Sequence, residues 1–169
     1  MLICKIAIST LDNDKSKFIS IGTGEDETVE SEAVQAEKYA IERVELSYHT
    51  NEENVRDKSK SMSIKVDIFG RIPEVYQVEF LEKLRRIGEW ARDFDPRTSC
   101  RNLCIGMKIN QKFQSVYIIK NVFVSDYKEL YTIVGEKGEE NNGFYLSLIQ
   151  KDIGLSKVIT DKGWPSDFV

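Results

Sequence analysis

His49, Cys4, Cys100 and Cys104 have the widest chemical repertoire in this sequence. Imidazole and thiolate are the nitrogen and sulfur donors that zinc prefers, and a histidine can also take the proton of a nucleophilic thiol. The spacing argues against both uses. Cys100 and Cys104 stand four apart across a predicted helix-to-strand transition, outside the C-x-x-C gap of a zinc site, and the position of His49 relates to neither. The three thiols therefore read as small buried hydrophobes and His49 as a strand-end residue. An odd number of cysteines makes no disulfide framework and suits a reducing compartment.

Gly22-Thr23-Gly24 could begin a phosphate loop, but Glu25, Asp26 and Glu27 follow directly and would repel the anion. A turn is the better reading. Lys83, Arg85 and Arg86 could touch nucleic acid, yet Glu79, Glu82 and Glu89 lie among them, so a solvated face of i,i+4 pairs is expected. With 24 basic against 28 acidic residues the net charge of -4 does not suit a chain covered in nucleic-acid contacts. No motif places a pair of carboxylates for acid–base work. The expectation is a protein without enzymatic activity, cofactor, metal or specific nucleic-acid recognition.

The elements that would position any site are mainly strands. Residues 2–10 read as a strand, and "LDNDKSK" turns into a second, "FISIG", to make an N-terminal hairpin within 1–24. Residues 25–37, "EDETVESEAVQAE", carry six acidic residues and no basic one, as a solvated loop or marginal helix would. "YAIERVELSYH" sets Val44, Leu46 and Tyr48 against Glu45 and Ser47. "SMSIKVDIFG" alternates Met62, Ile64, Val66 and Ile68 with Ser63, Lys65 and Asp67. Pro73 predicts a helix start, Leu81, Leu84, Ile87, Trp90, Ala91 and Phe94 its apolar stripe, and Pro96 its stop. "NLCIGMKIN", "SVYIIKNVFVSDY", "ELYTIVG" and "GFYLSLIQ" complete the strands. The fold class is mainly β, an antiparallel β-barrel or sandwich of about seven strands with one α-helix. One domain over 1–169 is expected, with a barrel core over about 40–151 and a C-terminal tail over 152–169. No apolar run approaches the roughly 18 residues of a membrane span, and "MLICKIAIST" reads as the first strand of a cytoplasmic protein.

Residues 115–127 pose a packing question. In an extended chain Val116, Ile118, Val122 and Val124 point one way and Tyr117, Ile119 and Phe123 the other, so both faces are apolar and both need cover.

From about 40 to 151 the order of elements resembles the tail-tube fold of contractile injection systems: the hemolysin-coregulated protein of type VI secretion and the tube proteins of phage tails and phage-like particles. "IERVELSYH" resembles the early strand of that family, "NEENVRDKSK" its extended polar loop, and "SMSIKVDIFGRI" the strand leading to its single helix. "SVYIIKNVFVSDYKE" with "GFYLSLIQKD" resembles its closing hairpin. The helix lacks the Asp-x-x-Ser-Pro step of the secreted type VI protein, and the acidic stretch is longer than in that family. The resemblance implies a structural protomer that forms hexameric rings stacked into a hollow tube, with sheath and baseplate proteins as further partners and no membrane. In such a ring Tyr117, Ile119 and Phe123 would meet partly the helix and partly a neighbouring copy, and the polar loop, Asn51, Glu52, Glu53, Val55, Arg56, Asp57, Lys58 and Lys60, is expected to reach a neighbour because it is longer than a tight hairpin needs and charged in both signs. The alternative is a β-barrel module that holds a small ligand or a peptide, which needs a hollow interior.

Overall fold

The structure is a computed structural model and describes residues 1–50, 62–133, 142–150, 158–161 and 163–169. The strands are β1 Ile3–Thr10, β2 Ile19–Ile21, β3 Ile41–Thr50, β4 Met62–Arg71, β5 Arg101–Ile109, β6 Lys112–Leu130, β7 Gly143–Gln150 and β8 Val158–Asp161. The helices are α1 Glu32–Gln35 and α2 Gln77–Ala91. Among the described residues the strands make one antiparallel sheet in the order β2-β1-β5-β6-β7-β4-β3, with β8 beside β6. β3 comes back into contact with β1, so the sheet curls round its own apolar face.

That face is built by alternation. Ile6 and Ile8 of β1 stand opposite Ile105 and Leu103 of β5, and Val66 and Ile68 of β4 opposite Leu148 and Leu146 of β7. Each is buried, and α2 lays Phe80, Leu84, Ile87 and Trp90 onto the same core. The mainly antiparallel β fold expected from the sequence is what forms, with the four-residue α1 as an addition inside the acidic stretch.

Two boundaries of the long helix differ from expectation. α2 begins at Gln77, not Pro73, because Tyr76 takes a left-handed backbone conformation (φ 56°) that resets the chain just before the first turn. At the other end the helix stops at Ala91, so Phe94 leaves the stripe and is 90% exposed, while Phe80 takes a core place in its stead. "ELYTIVG" is not a separate strand either. Its first two residues end β6, which runs unbroken for 19 residues, and Tyr131 to Ile133 have left the sheet.

β6 stays in register with two neighbours only by means of bulges. Against β5, Leu103 pairs with Ile119 but Arg101 with Val122, so Lys120 and Asn121 together face Asn102. Asn121 supplies the left-handed step (φ 58°), which asparagine tolerates better than most residues, and its amide donates to Asn102 Oδ1 at 3.3 Å. This extra residue exchanges the two faces of the strand. Tyr117 and Ile119 before the bulge share the main core with Val122 and Val124 after it, whereas Val116 and Ile118 point outward. The uniform alternation expected along 115–127 is thus corrected. A second extra residue, Ser125, falls between the pairs Val124–Leu148 and Asp126–Ser147 against β7. The β5–β6 hairpin closes through Asn110 and Gln111, both with positive φ (51° and 68°), as a two-residue turn of matching twist requires.

The C-terminal residues cover the outward face. β8 pairs with β6 from Val116 to Ile119, and Trp164 and Phe168 then pack on Ala7, Cys104, Phe113 and Val116, with Phe18 and Ile118 at the margin. Of residues 152–169, the described ones, Val158–Asp161 and 163–169, thus include a strand of the sheet and two aromatic side chains packed on it.

Candidate functional site

The residues first suspected of chemistry are scattered. Cys4 belongs to the main core and Cys104 to the outward cluster, and Cys100 is also buried; all three thiols are free. Burial pushes the Cys4 and Cys104 thiols up to about 12, which disfavours the free thiolate that a nucleophile needs. His49 is exposed near the end of β3, with Nε2 3.2 Å from Ser47 Oγ. Among the described residues no group of three His, Cys, Asp or Glu side chains is placed to hold a metal.

The turn Gly22-Thr23-Gly24 does present its amides to anions, but the anions are the chain's own. Gly22 N donates to Glu37 Oε2 at 3.2 Å and Gly24 N to Glu30 Oε1 at 2.7 Å. The acidic stretch is held down in the same way at other points. Phe113 N donates to Glu25 Oε1 at 3.0 Å, Lys38 Nζ lies 3.1 Å from Glu27 Oε2, and Lys83 Nζ lies 2.6 Å from Glu37 Oε1. Burial raises the Glu37 carboxyl above its ordinary value, and the charge of Lys83 opposes this.

Lys108 was not singled out by the sequence. Alternation along β5 sends it away from Met107 and the core, where a lysine ordinarily meets water. Instead the acidic stretch folds over it. Its ammonium is fully buried and donates to Thr23 Oγ1 at 2.6 Å, Gly24 O at 2.7 Å and Glu27 Oε1 at 3.3 Å. The only advance signal was the surplus of acid in 25–37, which needed a cation from elsewhere.

The basic cluster on α2 is spent inside the molecule. Arg85 pairs with Glu82 and Glu89 along the helix, Lys83 with Glu37, and Arg86 Nη2 donates to Ser16 O at 2.6 Å. The interior is equally occupied. Trp90, Phe80, Ile6, Ile8, Ile68 and Leu84 are all essentially inaccessible to solvent, so the curled sheet is filled by side chains.

The surface offers features of another kind. An open groove of about 780 Å³ runs between α2 and β6, with Leu81, Gly88 and Val124 beside Arg85, Tyr127 and Tyr131. A cleft of about 500 Å³ lies over Phe69, Gly70, Leu130, Gly143 and Tyr145. Leu130 and Ile133 are exposed, and the backbone edges of β2 and β3 end the hydrogen-bonded sheet. Such edges and exposed apolar side chains are where a second chain can add.

Of the contact residues implied for assembly, Asn51, Glu52, Glu53, Val55, Arg56, Asp57, Lys58 and Lys60 lie outside the described residues. Tyr117, Ile119 and Phe123 do not share a face: Ile119 is fully buried in the main core, Tyr117 is half-buried against it, and Phe123 is half-buried beyond the bulge.

No protein-family model matches the sequence, and no curated protein matches it either. Solved structures do resemble this one. The crystal structure of Hcp1 from Salmonella typhimurium is 9% identical at a TM-score of 0.51, over 95% of this chain and 95% of that one. The sheath-tube complex in the extended state of an extracellular contractile injection system, PVC, is 12% identical at 0.44, over 93% and 88%. The baseplate of the anti-feeding prophage, AFP, is 10% identical at 0.46, over 92% and 91%. Of these three, Hcp1 alone exceeds a TM-score of 0.5, and at 9% identity the likeness is one of fold. The likeness covers 95% of both chains, and the fold is the tail-tube fold that the order of elements led one to expect.

Proposed function

We propose that this protein is the protomer of an injection-type tube, a structural and non-catalytic subunit that assembles with copies of itself into stacked, hexameric rings. The observation that carries the reading is the shared fold with Hcp1 over 95% of both chains. Physical support comes from the sheet, whose edges at β2 and β3 leave backbone groups for another chain, and from the exposed Leu130 and Ile133. The filled interior opposes the alternative of a barrel that encloses a ligand. Assembly in the cytoplasm, with sheath and baseplate proteins as later partners, belongs to the same proposal.

Residues 51–60 are assigned the contact between rings, because their mixed charges suit complementary pairing between copies. Negative-stain microscopy and sedimentation of the purified protein test the whole reading. Rings or rods are expected at high concentration, and a strict monomer under all conditions would sink it. A variant with 51–60 replaced by a two-residue turn should fold and form no rods; rods of normal length would remove that loop from the contact.

A further inference from the structure

Arg101 opens β5 at the end of the sheet where β1 finishes and the chain returns from α2. It is 92% buried by its 8% exposure, and its Nε has no hydrogen-bond partner. The guanidinium lies over the indole of Trp90, 5.1 Å from the ring centroid, and Trp90 is itself fixed by Nε1 donating to Ser99 O at 2.8 Å. Stacking on an aromatic face engages the flat side of a guanidinium, and Nε on its edge is left without a hydrogen bond. Burial disfavours a charge in that position, and the charges of Asp93 and Glu89 offset this only in part.

The acids nearby do not supply the missing partner. Asp95 is engaged by Arg97, through Nε at 3.1 Å and Nη2 at 2.9 Å. Asp93 accepts from Asp95 N at 2.9 Å and Thr98 Oγ1 at 2.7 Å. Asp12 accepts from Asp14 N at 3.3 Å. Among the described residues none of the three forms an ion pair with Arg101. Beside the guanidinium lies a cavity of about 300 Å³, lined by Arg101 and Cys100 together with Lys17 and Arg97, both exposed, and by Asp12 and Asp95. The lining thus sets three cations, Arg101, Lys17 and Arg97, against two carboxylates, Asp12 and Asp95, of which Asp95 is paired with Arg97.

We propose that this cavity is an oxyanion site, in which the edge of Arg101 takes the oxygens of a phosphate or carboxylate group and Lys17 contributes charge at the rim. Planar fork recognition of two oxygens is what an immobilised arginine does best. The site is separate from the groove along α2 and does not depend on the tube reading.

Titration calorimetry with inorganic phosphate and with acetate, against chloride at equal ionic strength, tests it on the intact protein. Saturable binding of one equivalent and a rise in melting temperature are expected. Arg101→Met keeps the volume and removes an unpaired buried charge, so it should fold and lose the binding altogether. Lys17→Met, at an exposed position, should weaken the binding several-fold without changing the melt in chloride. Tighter phosphate binding assigns a phosphate group and tighter acetate binding a carboxylate. Absence of binding in the wild-type protein, or unchanged binding in Arg101→Met, overturns the proposal.

Discussion

Glu37 Oε1 and Lys83 Nζ lie 2.6 Å apart and join the end of the acidic stretch to α2, with Glu37 almost fully buried. Burial raises the Glu37 carboxyl, so its folded-state affinity for a proton exceeds that in the unfolded chain. Its contribution to stability is therefore greatest below the unfolded carboxyl value and declines as pH rises through the folded one. Glu37→Gln lacks this decline. The melting temperature of the variant relative to wild type should increase as pH is raised from about 4 through the weakly acidic range; calorimetric scans in a pH series check it, and a difference that falls with pH contradicts it.

The bulge at Asn121 makes an asymmetric prediction for β6. Ile119→Arg loses roughly 2 to 3 kcal/mol of burial and places a charge in the main core, so the protein should be insoluble or unfolded. Phe123→Glu acts on a half-buried side chain on the other side of the bulge and should give a soluble, cooperatively melting protein. Circular dichroism melts compare the two. Equal loss of folding would mean that the face exchange at the bulge is not the true packing.

Gly106 is a notch for the C-terminal segment. A Cβ there would stand 2.5 Å from the Phe113 ring and 2.8 Å from the Trp164 ring, and these aromatics themselves pack at 5.0 Å between centroids. Gly106→Ala should cost about 1 to 3 kcal/mol by overpacking. Urea melts measure the cost, and tryptophan emission in a Trp90→Phe background should show Trp164 more solvated before the main transition. Unchanged stability and emission would deny the segment its role as cover.

Thiol chemistry should be governed by burial alone. With Cys4 and Cys104 pushed up to about 12, iodoacetamide at pH 8 should label them slowly in the native protein and completely in denaturant, as followed by intact-mass spectrometry. Rapid native labelling of either would reveal an opening that the packed sheet does not contain.

What the sequence determined by itself was local. Strict alternation of Ile64, Val66 and Ile68 with polar residues, and the recurrence of Leu84, Ile87 and Trp90, reflect the periods of strand and helix, which every residue carries whatever its surroundings. The order of these elements sufficed for the tail-tube resemblance that the fold bears out. Tertiary structure decided the rest, because it depends on which distant segment arrives where. A single left-handed step at Asn121 exchanges the faces of β6, and the period-two pattern on either side contains no record of that shift. The acidic stretch looked like a solvated loop because its cations, Lys108 and Lys83, come from β5 and α2. Arg101 is an ordinary surface arginine in the sequence, and it is buried only because Trp90 at the end of α2 and the turn after it close over the start of β5. Burial and pairing over long sequence distances are properties of the assembled chain, and local composition does not encode them.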